Sequence, residues 1–174
     1  SDALVYPTIP LAGSGFAGGL VDARARYAHI DELAKRSLIE WAVVDPGSLN
    51  LATLDELAMT APGFVYQNPG EHILEGLRGC AQHGVRPSYA IYEPGFIRMG
   101  VAFASATAGL KTPIYRLMFS DHFAFGFPPR EKYLEAHLSL LAELAPGAPW
   151  MIAGLGVDIR PLIGPAVDRG GHVR

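Results

Sequence analysis

Few residues of this chain have both the type and the setting to do chemistry, and several follow directly on a short apolar run. Glu93 comes straight after Tyr89-Ala-Ile-Tyr92 and before Pro94-Gly95. A carboxylate there can point into a pocket at the strand ends, or sit against the positive N-terminal end of the next helix. Asp45-Pro-Gly-Ser48, with Asn50, follows the apolar run 39–44 in the same way. Asp and Ser hydrogen-bond their own backbone in turns, so this string reads first as a turn. Gly13-Ser-Gly15 and Gly154-Leu-Gly156 can hold an anion on backbone N–H groups, but neither has the third glycine of a dinucleotide-binding loop. Arg174 follows Gly170-Gly-His-Val. At the end of a strand its guanidinium pairs with a substrate carboxylate or with a neighbouring acid.

The six histidines show no His-x-His, His-x-x-x-His or His-Glu-x-x-His spacing, so spacing alone assembles no metal site. His29, His72, His83 and His137 fall on predicted helices and are expected to be solvated or partly packed. His122 lies in a loop rich in aromatic residues and glycine, and is the histidine best placed to touch a ligand. Cys80, the single cysteine, sits on an apolar helix face and is read as a core filler that forms no internal disulfide.

The elements that must position these residues alternate. Short apolar runs at 3–9, 39–44, 89–92, 114–119, 150–153 and 172–174 read as strands. Helical periodicity follows from Asp22 to about residue 38, then over 71–83, 96–108, about 130–144 and 159–168. Gly84 is placed to end the second of these. Residues 49–59 are ambiguous, and Phe64-Val-Tyr66 reads as a small extra strand. Six strands and five helical connections predict an α/β protein with parallel strands. An open doubly wound sheet and a (β/α)₈ barrel both fit that order, with the polar residues at the strand ends in either case.

The bulk composition narrows the function classes. Of 174 residues, 49% are hydrophobic and 18% charged, which suits one domain with a core and rules out a disordered chain. Fourteen Lys+Arg against seventeen Asp+Glu give a net charge of −3 without a basic cluster, so no nucleic-acid partner is expected. The uncharged run 3–21 contains Pro7, Pro10 and four glycines, which would leave backbone groups unpaired in lipid. It reads as a strand and a glycine-rich loop, without a basic leader before it. The expectation is a soluble, cytoplasmic protein with no membrane partner.

Taken together, Tyr6-Pro-Thr8, Val44-Asp-Pro-Gly-Ser-Leu-Asn50, Val65-Tyr-Gln-Asn-Pro69, Ile91-Tyr-Glu-Pro-Gly-Phe96, Gly126-Phe-Pro-Pro129 and Gly170-Gly-His-Val-Arg174 resemble the β-keto acid cleavage enzymes, typified by 3-keto-5-aminohexanoate cleavage enzyme. The resemblance runs over essentially the whole chain. It implies a (β/α)₈ TIM barrel of which residues 1–174 form part, covering roughly strands three to eight. It also implies a divalent metal, usually Zn2+, as Lewis acid and acetyl-CoA as co-substrate. The implied reaction converts a β-keto acid and acetyl-CoA to acetoacetate and a new acyl-CoA.

Residue by residue, the resemblance makes Arg174 the arginine of a pair that moves protons with an acidic residue a few positions later, and Glu93, chosen for its position after a strand, is the second catalytic candidate. Ser14 matches a serine that holds the substrate, and Ser48 and Asn50 match the loop lining its pocket. Thr8 and Tyr92 lie within the matching strings, and with His122 complete the substrate-binding set. The family's His-x-His pair and the glutamate after the arginine have no counterpart here, so the metal ligands are expected outside these residues. Pro46 stands where some members have threonine, and Ala90 where many have glutamate. A homo-oligomer acting on small molecules is expected. Two other readings share the same residues: a metal-dependent barrel lyase or aldolase without CoA, and a non-enzymatic α/β ligand-binding domain.

Overall fold

The computed structural model describes residues 6–10, 21–61 and 63–174. Asp22 caps the first helix, α1 (Ala23–Lys35), its carboxylate accepting from the N–H groups of Arg24 and Ala25. The strand β1 (Trp41–Val43) follows. The ambiguous stretch resolves into a short strand, β2 (Leu49–Leu51), and one helical turn and a half, α2 (Leu54–Ala58), started by a Thr53–Glu56 capping box. The strand β3 (Phe64–Tyr66) pairs antiparallel with β2, making a small separate sheet.

From there strand and helix alternate: α3 (Gly70–His83), β4 (Arg86–Ile91), α4 (Pro94–Ser105), β5 (Ile114–Phe119), α5 (Glu131–Leu144) and β6 (Trp150–Gly154). A 3₁₀ turn (Arg160–Leu162), α6 (Ile163–Asp168) and β7 (His172–Val173) complete the order. Gly84 ends α3 in the left-handed conformation, at φ 64°, which glycine adopts without steric cost.

The main sheet runs β1-β4-β5-β6-β7, every neighbouring pair parallel. Its strands keep their chain order, with no reversal of the kind that marks a doubly wound sheet. The helices pack on one face: Ile30, Ile73, Leu77, Ile97, Leu134 and Leu141 join Tyr89, Ile91, Tyr115, Leu117, Phe119 and Ile152 in one buried cluster. The alternate strand residues Ala90, Met118 and Ala153 face the other way and pack with Phe125 and with loop residues, without any helix. This mostly parallel α/β fold is compatible with an arc of a barrel.

Three expectations change. The first predicted strand, 3–9, lies partly outside the described residues, and residues 6–10 are irregular. Pro7 and Pro10 have no N–H for a ladder, and the carbonyls of Thr8 and Pro10 pair instead with the side chains of His29 and Arg26. His72 and His137 are not solvated but buried at 3% and 0% exposure. His137 lies edge-on to Phe119 and Phe127, and neither ring nitrogen has a partner among the described residues. Burial pushes its pKa down to about 4. No helix among the described residues is long and apolar enough to cross a membrane.

Candidate active site

The helix-free face gathers its polar groups where the parallel strands end. Asp45, two residues after β1, is buried there and does not serve a local turn. Its Oδ1 accepts from the Ala90 N–H at 2.9 Å and from Arg116 Nη2 at 3.2 Å, and its Oδ2 accepts from the Tyr66 hydroxyl at 2.8 Å. One carboxylate therefore joins β1, β4, β5 and the small sheet. Both members of the Asp45–Arg116 pair are nearly sealed from solvent, so the ion pair carries a desolvation cost that the extra hydrogen bonds offset. Burial and the Asp45 charge hold the Tyr66 phenol well above its ordinary pKa.

Tyr92 stands on the same side, edge-on to Tyr66 at 6.2 Å and to Phe125 at 5.0 Å. Its pKa is pushed up to about 12, first by burial and then by Asp45, while Arg116 and Arg174 pull it down. Arg174 continues the ladder of β7, its N–H donating to the Ile152 carbonyl at 3.1 Å. Its side chain is exposed, and its guanidinium carbon lies 5.2 Å from the Tyr6 ring centre.

Loops form the rim. The β5–α5 loop folds back over the strand ends, and Phe125 packs on Ala90, Met118 and Ala153. Glu93, half-buried at the start of α4, accepts from the Gly126 N–H at 2.9 Å. Gly126 has φ 49°, and a Cβ there would meet the Tyr92 carbonyl oxygen at 2.1 Å, so only glycine fits. Ser120 ties the loop's first turn, its hydroxyl accepting from His122 and Phe123 N–H and donating to the Leu155 carbonyl. His122 itself is exposed, its ring edge-on to Phe123 at 5.3 Å.

Of the residues singled out from sequence, Tyr92 and Arg174 come to the Asp45–Arg116 cluster. Ser48 is exposed beside it, accepting from the Asn68 N–H at 2.7 Å, and Asn50 is an exposed residue of β2. Glu93 and His122 belong to the rim loop. Thr8 is exposed next to α1, with its carbonyl 2.8 Å from His29 Nε2. Ser14 lies outside the described residues. Sequence reasoning missed Arg116 and Tyr66. The signal for Arg116 was a lone charge inside the apolar strand Ile114-Tyr-Arg-Leu-Met-Phe119, since a buried arginine requires a partner.

Two wide grooves, of about 620 and 630 Å³, lie elsewhere and are not lined by any residue of this cluster. One runs between α1 and α3, and the other lies at the opposite ends of the strands. Among the described residues no three His, Cys, Asp or Glu side chains converge to hold a metal ion. The residues described do not fit the implied zinc, and no step is assigned to it.

What the arrangement offers is a buried ion pair on the helix-free face, with a phenol and an exposed arginine towards the C-terminal ends of the parallel strands. No curated protein matches the chain. The family model of the beta-keto acid cleavage enzymes matches residues 1–174, and the chain belongs to that family.

Proposed function

We propose that this chain carries the substrate-facing arc of a (β/α)₈ barrel. The barrel cleaves a β-keto acid by exchange with acetyl-CoA, giving acetoacetate and a new acyl-CoA. The observation that supports this best is the placement of Arg174. It lies at a strand end on the helix-free face, with its guanidinium free of any carboxylate among the described residues. A planar, permanently charged fork in that position suits a carboxylate or an oxyanion that develops on the substrate.

In this reading Arg174 touches the substrate and steadies the charge that forms as the carbon–carbon bond breaks. Tyr92, held protonated by its buried setting, donates a hydrogen bond to the keto or carboxylate oxygen. Ser48, Asn50 and His122 line the approach, and Thr8 and Ser14 join the substrate-binding set through the family resemblance alone. Glu93 acts through the loop it holds, its Oε1 accepting from the Gly126 N–H. Zinc and acetyl-CoA belong to the proposal through the family alone.

The test is an assay of the zinc-loaded protein with acetyl-CoA and a panel of β-keto acids, following acyl-CoA formation. Exchange with at least one acid is expected. No exchange with any, or turnover of a keto substrate without acetyl-CoA, removes this reading.

A further inference from the structure

Arg116 is buried at 6% exposure in the middle of β5. A guanidinium has five N–H donors. Arg116 makes one hydrogen bond, from Nη2 to Asp45, and its Nε is buried without a partner among the described residues. Asp45 is saturated by comparison, with the Tyr66 hydroxyl and the Ala90 N–H on its oxygens as well. Its negative charge is spread over three donors, while the positive charge of Arg116 faces a single acceptor. The neighbouring backbone offers little more, because β5 is paired on both edges, with β4 and β6. A buried arginine this far from satisfied calls for a further acceptor, and a carboxylate matches its fork in two hydrogen bonds.

Arg174 presents the second cation. Met118 is level with Ala153, and Ile152 with Val173, so Arg174 stands level with Met118, two residues beyond Arg116 along the strands. Along the strands that offset is about 7 Å, and with β6 between β5 and β7 the two are also about 10 Å apart across the sheet, a span that two long arginine side chains can narrow from either side. Arg116 shares the alternation of Met118 on β5, and Arg174 is level with Ala153, so both belong to the helix-free face. A ligand with one anionic group can engage one of them. A short ligand with two can engage both.

We infer that the substrate is a β-keto acid bearing a second carboxylate, one carboxylate bound by Arg174 and the other by Arg116, which Asp45 holds in place. This rests on the functional reading above and makes Arg116 the residue that selects the dianion.

The test is calorimetric titration of the protein with glutarate and with butyrate, in a buffer free of carboxylates. Glutarate is expected to bind at least tenfold more tightly than butyrate. In the double variant Asp45→Asn, Arg116→Gln, which replaces the ion pair by two amides, the preference falls to threefold or less. Arg86→Gln, at the opposite end of the neighbouring strand, retains it. Should the double variant not fold, Arg116→Lys keeps the charge without the fork and is expected to weaken glutarate about tenfold. Equal affinities in the parent protein, no glutarate binding, a preference surviving in the double variant, or unchanged glutarate affinity in Arg116→Lys overturns the inference. Selective glutarate binding by a protein that exchanges no CoA leaves the two-arginine dicarboxylate site standing and removes the proposed reaction. Exchange that is equally fast with mono- and dicarboxylic β-keto acids does the reverse.

Discussion

Arg174 lies over the ring of Tyr6, its guanidinium carbon 5.2 Å from the ring centre, although the two residues come from opposite ends of the chain. Tyr6 belongs to the segment whose Thr8 carbonyl meets His29 of α1, whereas Arg174 extends β7 at an edge of the main sheet. The contact itself contributes about 0.5–1 kcal/mol, and its larger effect is to aim Arg174 across the helix-free face.

Replacing Arg174 by alanine is expected to lower kcat about 100-fold or more, the usual loss on removing a charge-stabilising donor. The side chain is exposed and loses only its contact with Tyr6, so the unfolding free energy should stay within about 1 kcal/mol of the parent. Acyl-CoA formation at saturating substrate reads the first, and a denaturation curve the second. Parent-like kcat would exclude Arg174 from the chemistry.

The hydrogen bonds of Asp45 rank a second pair of variants. Asp45→Ala leaves Arg116 buried and unpaired and should cost about 3–5 kcal/mol. Tyr66→Phe removes one hydrogen bond to the same carboxylate and should cost about 1.5–3 kcal/mol. Urea unfolding should preserve that order, and its inversion would mean that Asp45 matters less than its partners.

His137 gives the fold a dependence on acid. Its pKa is about 4 in the folded chain against 6.5 unfolded. Between those values the unfolded state binds a proton that the folded state does not, so stability falls as pH drops through 6.5 and levels off near 4. The full effect is on the order of 3 kcal/mol. His137→Leu should flatten the difference in unfolding free energy between pH 7.5 and pH 5, and an unchanged slope would point to other groups.

Glu93 and Gly126 test the rim loop. Glu93→Gln keeps an acceptor for the Gly126 N–H, so a residue that only holds the loop should keep kcat within about threefold. A loss of about 100-fold would instead make its proton essential. Gly126→Ala must displace the loop from the Tyr92 carbonyl and should raise KM in either case.

Much of the fold was legible because its strands are buried on both faces and read as unbroken apolar runs. Residues 114–119 were placed to the residue, and Gly84 ended its helix where the sequence put it. Residues 49–59 were not, since a three-residue strand and a five-residue helix are too short for either periodicity to register. At the site, Arg174 was singled out by its position at a strand end and Tyr92 through the family resemblance. Asp45 was read as a turn residue because its partners Tyr66, Ala90 and Arg116 are distant in sequence. Hydrogen bonds of that range leave no local pattern.

The division of the sheet into two unlike faces bears on how such a protein can change. The helix side holds nearly all the large apolar packing, while Ala90, Met118 and Ala153 stand on the alternate residues of the same strands. Scaffold and lining share a backbone but hardly any side-chain contacts. Exchanging a residue of the lining reshapes the bound ligand's surroundings without opening a hole in the foundation. A change on one face is therefore felt mainly by the residues of that face, and the two can vary largely independently.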